Sequence, residues 1–332
     1  MRSGSQRTLI IGAAVLFTLS GLSLIHLTGG PSRLLHLILE MNSSIIVAML
    51  FLFLAELVKA ARLTLFARSY GLRVPLHWAL TARLVGRFFG VLTPAYSGAT
   101  PARAAVIAAA SNMEPGAAFG ITTIESLFDT FLPIAVTLIL TIPLLPATWL
   151  AFLTSLFLAS LWLGGIGWVR TDRFVKFVNR RVKTDYACYL LRQRDKFLKS
   201  LSSILRNRLV FTMGLTLTLA AHIVETYSIL VLSHSATIEP GWSMLESVWK
   251  SFLALEISNV MVMSPTPGGA LFFEYGLTGV LDPALLVWWR ITYVVFSLIP
   301  GLLILLLLGR VREYARSLLE TEVKTCEASQ VL

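Results

Sequence analysis

The run Ala82-Arg83-Leu84-Val85-Gly86-Arg87-Phe88-Phe89-Gly90-Val91-Leu92-Thr93-Pro94-Ala95-Tyr96-Ser97-Gly98-Ala99-Thr100-Pro101-Ala102-Arg103 decides how this chain is folded. It lies inside an apolar segment, Leu76 to Ala110, that Pro and Gly break in the middle. Arg83 and Arg87 are four apart and share a helix face before the break. Arg103 lies just inside the returning helix. A second apolar segment, Met244 to Gly279, is broken in the same manner at Met263-Ser264-Pro265-Thr266-Pro267-Gly268-Gly269-Ala270-Leu271-Phe272-Phe273-Glu274. There two prolines stop the incoming helix, two glycines permit backbone geometries closed to other residues, and the next helix starts with free N–H groups pointing into the break.

Around these segments the chain is too apolar for a water-soluble domain. Of its 332 residues, 56% are hydrophobic and 14% charged, and the mean hydropathy is +0.75. The apolar residues fall in runs of about 20, enough to cross a hydrocarbon core of roughly 30 Å. An all-α integral membrane protein follows, with one polytopic domain over residues 1–310 and a cytoplasmic tail over 311–332. The net charge of +10 is concentrated between Arg170 and Arg208, where twelve Lys/Arg face three Asp. That is a positive-inside signal for a cytoplasmic loop rather than a nucleic-acid surface. A second reading makes part of it an amphipathic helix on anionic lipid, because Phe197, Leu198, Leu201, Ile204 and Leu205 share a face. Cys188 and Cys326 sit in segments placed in the cytoplasm, so they imply neither a disulfide nor a metal site.

Six full spans are expected: a retained first span over Thr8 to Leu27, then Ile45 to Phe66, Phe119 to Ile142, Thr148 to Trp168, Leu209 to Leu232, and Pro283 to Leu308. Lys59 and Arg62, in the latter half of the second span, are expected to snorkel to the cytoplasmic interface. A Pro143 to Pro146 turn joins the third and fourth spans, and Trp149 and Trp168 suit aromatic anchors at opposite interfaces. Arg310, Arg312 and Arg316 place the C-terminus inside. An odd number of crossings by either broken segment would move the basic loop or the C-terminus outside, so both read as re-entrant helical hairpins entering from opposite sides. The pattern is an inverted repeat, the arrangement many transporters use to place a site near the midplane. The alternative is eight full spans.

Three guanidiniums around one break suit an anion such as phosphate, although Arg83 and Arg87 also fit an interfacial helix. In the third span Glu125 and Asp129 are four apart; carboxylates at that depth are costly and should face a cation, Arg103 or Arg87, or a proton. In the second segment Glu274 has Arg290 as its most obvious partner. His222 and Glu225 share a face of the fifth span and read as a buried hydrogen-bonded pair, since no second histidine completes a zinc motif.

Taken together, Gly86-Arg87-Phe88-Phe89 through Pro94, Gly98-Ala99-Thr100-Pro101-Ala102-Arg103, Glu125 with Asp129, and Thr266-Pro267-Gly268-Gly269 with Glu274 and Arg290 resemble the flippase-like family that includes the transmembrane region of lysylphosphatidylglycerol synthases. The resemblance runs from about Thr8 to Arg310. It implies re-entrant segments and movement of lipids or lipid-linked intermediates between leaflets. The sequence departs from the family pattern at Gly90, usually Asn; at Ala99 and Leu271, usually Gly; at Thr100, usually acidic; and at Ser126, usually Arg. The synthases' soluble aminoacyl-transfer domain is absent from this sequence.

The leading expectation is therefore a flippase in the plasma or bacterial inner membrane with both termini cytoplasmic. An anionic phospholipid or lipid-linked intermediate would be its partner, and no nucleic acid. Its site would comprise Arg83, Arg87, Arg103, Glu125, Asp129, Thr266, Pro267, Gly268, Gly269, Glu274 and Arg290. No catalytic residue, cofactor or metal is expected, and no Gly-x-x-x-x-Gly-Lys motif accompanies it. Glu125, Asp129 or Glu274 would carry protons if an ion gradient drives it. The competing expectations are an intramembrane enzyme on lipid phosphate or polyprenyl phosphate, or an accessory subunit to a lipid-synthesising enzyme.

Overall fold

The structure, a computed structural model, describes residues 2–111, 113–142, 148–181, 184–235 and 244–307. The Pro143 to Pro146 turn, Lys183, Cys326, the basic residues from Arg310 onward and the 311–332 tail lie outside them. Thirteen helices occupy the described residues: α1 (Arg2–Thr28), α2 (Pro31–Leu39), α3 (Ser44–Ser69), α4 (Leu76–Leu92), α5 (Ala99–Ser111), α6 (Pro115–Thr141), α7 (Trp149–Arg170), α8 (Asp172–Arg181), α9 (Thr184–Arg206), α10 (Arg208–Ser235), α11 (Met244–Met261), α12 (Phe272–Leu277) and α13 (Pro283–Leu307). Six of them, α1, α3, α6, α7, α10 and α13, are long and apolar enough to cross a membrane. These are the six spans the sequence predicts, and the protein is a multi-pass membrane protein.

Polarity is arranged accordingly. Outward faces are apolar, as at Ile10, Ile11, Phe17 and Leu22 on α1 and Leu153, Leu156, Phe157 and Leu161 on α7. An uncovered surface of this kind belongs in lipid. Trp149 and Trp168 are exposed at the two ends of α7. Inside, α3 and α10 run antiparallel: Phe51 stacks on Tyr227 with ring centroids 5.6 Å apart, and Lys59 and Arg62 reach back along α10 to Glu225 and Thr218.

Each broken segment is a helix, a short irregular stretch and a second helix. α5 folds back along α4, with Arg103 against Gly86 and Tyr96 against Gly90. The first break puts Ala95 and Tyr96 at φ 54° and 55°; the second puts Gly268, Gly269 and Leu271 at 56°, 70° and 73°. Gly269 has no alternative residue, since a Cβ there would collide with the Met261 carbonyl and stand 2.8 Å from Val262 Cα. The breaks touch each other. Pro94 and Pro267 form an antiparallel bridge, and the Ala95 N–H donates to the Ser264 carbonyl at 3.0 Å.

The amphipathic face of α9 packs on protein. Phe197, Leu201 and Ile204 are buried, Phe119 of α6 meets Phe197 with ring centroids 5.9 Å apart, and Gln193 Oε1 accepts the Gly116 N–H at 2.6 Å. The lipid-surface reading is thus corrected for Phe197, Leu201 and Ile204, where Gly116 and Gly120 let α9 approach α6 closely, while Leu205 stays exposed.

Candidate functional site

The interior of the helix bundle holds one continuous cluster of charge. On α3, Glu56, Lys59 and Arg62 recur every three residues, so all three face inward, and α4 presents Arg83 and Arg87 to them. Glu56 accepts from Arg83 Nε at 2.7 Å and from Arg87 Nη1 at 2.8 Å. Arg83 continues to Glu125 in a short contact and to Asp129 at 2.5 Å. Arg62 joins the same two carboxylates at 3.1 and 2.6 Å and donates to Thr218 at 2.5 Å. Arg103 reaches Glu125 at 2.8 Å and the Ser126 hydroxyl at 3.3 Å. Lys59 binds Glu225 on α10 at 2.7 Å, and Arg87 stands 3.7 Å from the same carboxylate. Five cations therefore face four carboxylates, and only Asp129, with its side chain 15% exposed, opens outward.

Local packing makes this geometry. A Cβ on Gly86 would lie 2.5 Å from Arg103 Cγ and 2.7 Å from its Nε, so the absent side chain is the space through which Arg103 passes toward α6. Arg87 lies over the Tyr293 and Phe296 rings, 4.7 and 5.1 Å from their centroids, and donates to Ser297 at 3.0 Å. Thr100 and Ser126, both departures from the family pattern, are bonded to each other at 2.8 Å. A pair of hydroxyls thus stands where the pattern has an acid and an arginine.

A second group lies at the second break. Arg290 on α13 pairs with Glu274 on α12 at 2.7 Å, donates to Ser20 of α1 at 2.7 Å and to the Gly268 carbonyl at 3.0 Å, and covers Phe273. Thr266 turns its hydroxyl to the Ala270 carbonyl at 2.6 Å. Thr266, Pro267, Gly268 and Gly269 thus build the break, and the Gly268 carbonyl holds Arg290. A third group joins α10 and α11: His222 Nδ1 lies 2.8 Å from Glu256 Oε1, with both residues buried.

Several expectations change. Lys59 and Arg62 do not snorkel, because carboxylates on α6 and α10 offer them partners inside the bundle. Arg83 and Arg87 are buried, not interfacial. Of the two partners offered to Glu125 and Asp129, Arg103 is found there, while Arg87 goes to Glu56 and Glu225. His222 and Glu225 do not pair with each other; each turns to another helix. Glu56, Lys59, Arg62 and Glu225 join the charged cluster although the sequence did not offer them as site residues, and Glu256 joins His222. The three-residue rhythm of charge within an apolar run was the available signal for the first three.

Residues 9–301 match the family model for the lysylphosphatidylglycerol synthase TM region, and the chain belongs to that family. No curated protein and no solved structure matches it.

Proposed function

We propose that this family member is a transporter that carries an anionic lipid headgroup between membrane leaflets, the acyl chains staying in lipid. The observation that carries the proposal is the buried five-cation, four-carboxylate cluster beside two bridged helix breaks. An ion cluster buried to that extent costs stability relative to apolar packing, and within a membrane it marks a pathway or site more often than scaffold. Its surplus positive charge and guanidinium forks suit a phosphodiester. Arg83, Arg87 and Arg103 would meet the headgroup while Glu125 and Asp129 release them. Arg290 and Glu274 would open and close the second break.

The broken segments would act as re-entrant hairpins. α5, at 13 residues, is only about 20 Å long and α12 has six, too short for a core of roughly 30 Å. An inverted repeat would relate the halves. Arg103 lies five residues after Gly98 and pairs with Glu125 on the following helix, whereas Glu274 lies five after Gly269 and pairs with Arg290 on the following helix, with the signs exchanged. The antiparallel α3–α10 pair fits the same relation. Both termini and the 170–208 segment would be cytoplasmic in a plasma or bacterial inner membrane.

The test is reconstitution in phosphatidylcholine vesicles with fluorescent phosphatidylglycerol, a monoanionic phosphodiester lipid, reading leaflet exposure by quenching. Faster exchange than in protein-free vesicles, lost in Arg103→Ala, is the expected result. Unchanged exchange, or chemical conversion of the lipid found by mass spectrometry, would remove the transporter reading.

A further inference from the structure

Among the described residues, the charges that pair across the helix bundle, with Glu256 facing His222, come to a balance that one residue can alter. The cations are Lys59, Arg62, Arg83, Arg87, Arg103 and Arg290. The carboxylates are Glu56, Glu125, Asp129, Glu225, Glu256 and Glu274. All are buried but Asp129, which is largely so. With every group in its ordinary ionised form and His222 neutral, this paired set of six cations and six carboxylates carries no net charge. His222 is the one buried histidine among the described residues; His26, His36, His77 and His234 are exposed.

Its hydrogen bonding leaves a proton site open. A carboxylate only accepts, so the neutral ring donates Nδ1–H to Glu256 and keeps its lone pair on Nε2. Nε2 is buried without a hydrogen-bond partner, and so are Glu256 Oε2 and Asn259 Nδ2 on α11. The surrounding charges are few. Glu225 lies three residues along α10 with its partners Lys59 and Arg87, and Arg62 of α3 binds Thr218 four residues before His222. Beyond Arg62 stand Glu125 and Asp129 of α6. α13 brings Arg290, held by Glu274, and Tyr293 beneath Arg87, while Arg206 at the α9 end is exposed.

The carboxylates first considered as proton carriers are poorly suited. Glu125 and Asp129 each face three guanidiniums, and Glu274 faces Arg290. Arginine does not give up its proton, so protonating any of these acids would leave a buried cation without its partner. Protonating His222 instead creates a charge that Glu256 already faces.

Resting on the transporter reading above, we propose that His222 with Glu256 is a proton-binding site that makes transport a symport of one proton with each monoanionic headgroup. The entering headgroup brings one negative charge into a balanced interior. One proton passing from water to His222 Nε2 restores the balance, and both leave together on the far side. No covalent bond changes.

One pH unit is a tenfold ratio of protons, so one-to-one coupling lets a one-unit gradient hold about a tenfold lipid asymmetry at zero membrane potential. The experiment uses full-length protein in phosphatidylcholine vesicles containing fluorescent phosphatidylglycerol, the potential clamped with potassium and valinomycin, and protein-free vesicles as the baseline. The wild type should enrich the probe up to tenfold in the leaflet facing the alkaline side. His222→Gln and Glu256→Gln should both lose the gradient-driven enrichment, and His222→Gln, which leaves the entering charge without its proton, should also exchange the probe more slowly than the wild type. A second measurement needs no variant: purified protein in weakly buffered detergent with a pH indicator should take up one proton per phosphatidylglycerol bound and none with phosphatidylcholine. An even wild-type distribution despite exchange, wild-type enrichment in His222→Gln, or no proton uptake on binding would overturn the coupling and leave the transporter reading standing. Absence of exchange without a gradient would instead remove that reading.

Discussion

Arg103 and Glu125 form one pair in the cluster, yet their removal should cost different amounts. Glu125 is completely buried and serves Arg62 and Arg83 with one oxygen and Arg103 with the other. Glu125→Gln keeps the shape but turns one carboxylate oxygen into an NH2 group facing a guanidinium, leaving three cations to share Asp129. Stripping a buried charge of its partner costs about 3–5 kcal/mol. Arg103→Ala removes one charge-assisted bond at 2.8 Å, worth about 1.5–3 kcal/mol, while Glu125 keeps two other partners. Glu125→Gln should therefore be the less stable variant in mild detergent, measured as the fraction remaining monodisperse after heating or titration with denaturing detergent. The double variant should be more stable than the sum of the singles by about 0.5–3 kcal/mol. If Arg103→Ala proves as unstable as Glu125→Gln, or the two effects simply add, the shared-carboxylate account is wrong.

Gly86→Ala should push Arg103 off its path and cost about 1–3 kcal/mol by overpacking, with loss of lipid exchange; the same thermal assay and the leaflet assay read both effects. Gly269→Ala should sharply lower the yield of folded protein, because φ +70° and the Met261 carbonyl both oppose a side chain. Leu271→Gly, at φ 73°, should instead stay within about 1 kcal/mol of wild type, since lost side-chain contacts offset relieved backbone strain. A cysteine at Asn179, exposed on α8, should react with impermeant maleimide only from the cytoplasmic side; labelling from outside would invert the proposed topology.

The spans were legible because membrane thickness imposes a length that any apolar run either meets or misses. The breaks were legible for a similar reason: proline and glycine act on backbone locally, wherever the segment packs. Pairing was less accessible. The sequence places Glu125 beside Asp129, but whether Arg87 or Arg103 answers them depends on the rotation of α4 and on the neighbours it meets, Arg87 being drawn to Glu56 of α3 and Ser297 of α13. Lys59 and Arg62 illustrate the limit. Long basic side chains near a span end have a cheap escape to water, and only neighbouring helices bearing carboxylates make the interior preferable. His222 and Glu225, three apart, suggested a pair within one helix, whereas two other helices supply their partners.

The bond from the Ala95 N–H to the Ser264 carbonyl also constrains how the protein is made. Synthesis runs from the N-terminus, so if the first break is the re-entrant segment proposed above, it reaches the membrane well before residue 264 has been translated. Until then that amide has no acceptor from the second half, and a bare backbone donor in hydrocarbon costs several kcal/mol. Lys59 waits similarly for Glu225, while Arg62, Arg83 and Arg103 find Glu125 sooner. The nascent first half should thus linger beside the insertion machinery or a wet crevice, and a chain halted before Ser264 should be a ready target for membrane quality-control proteases.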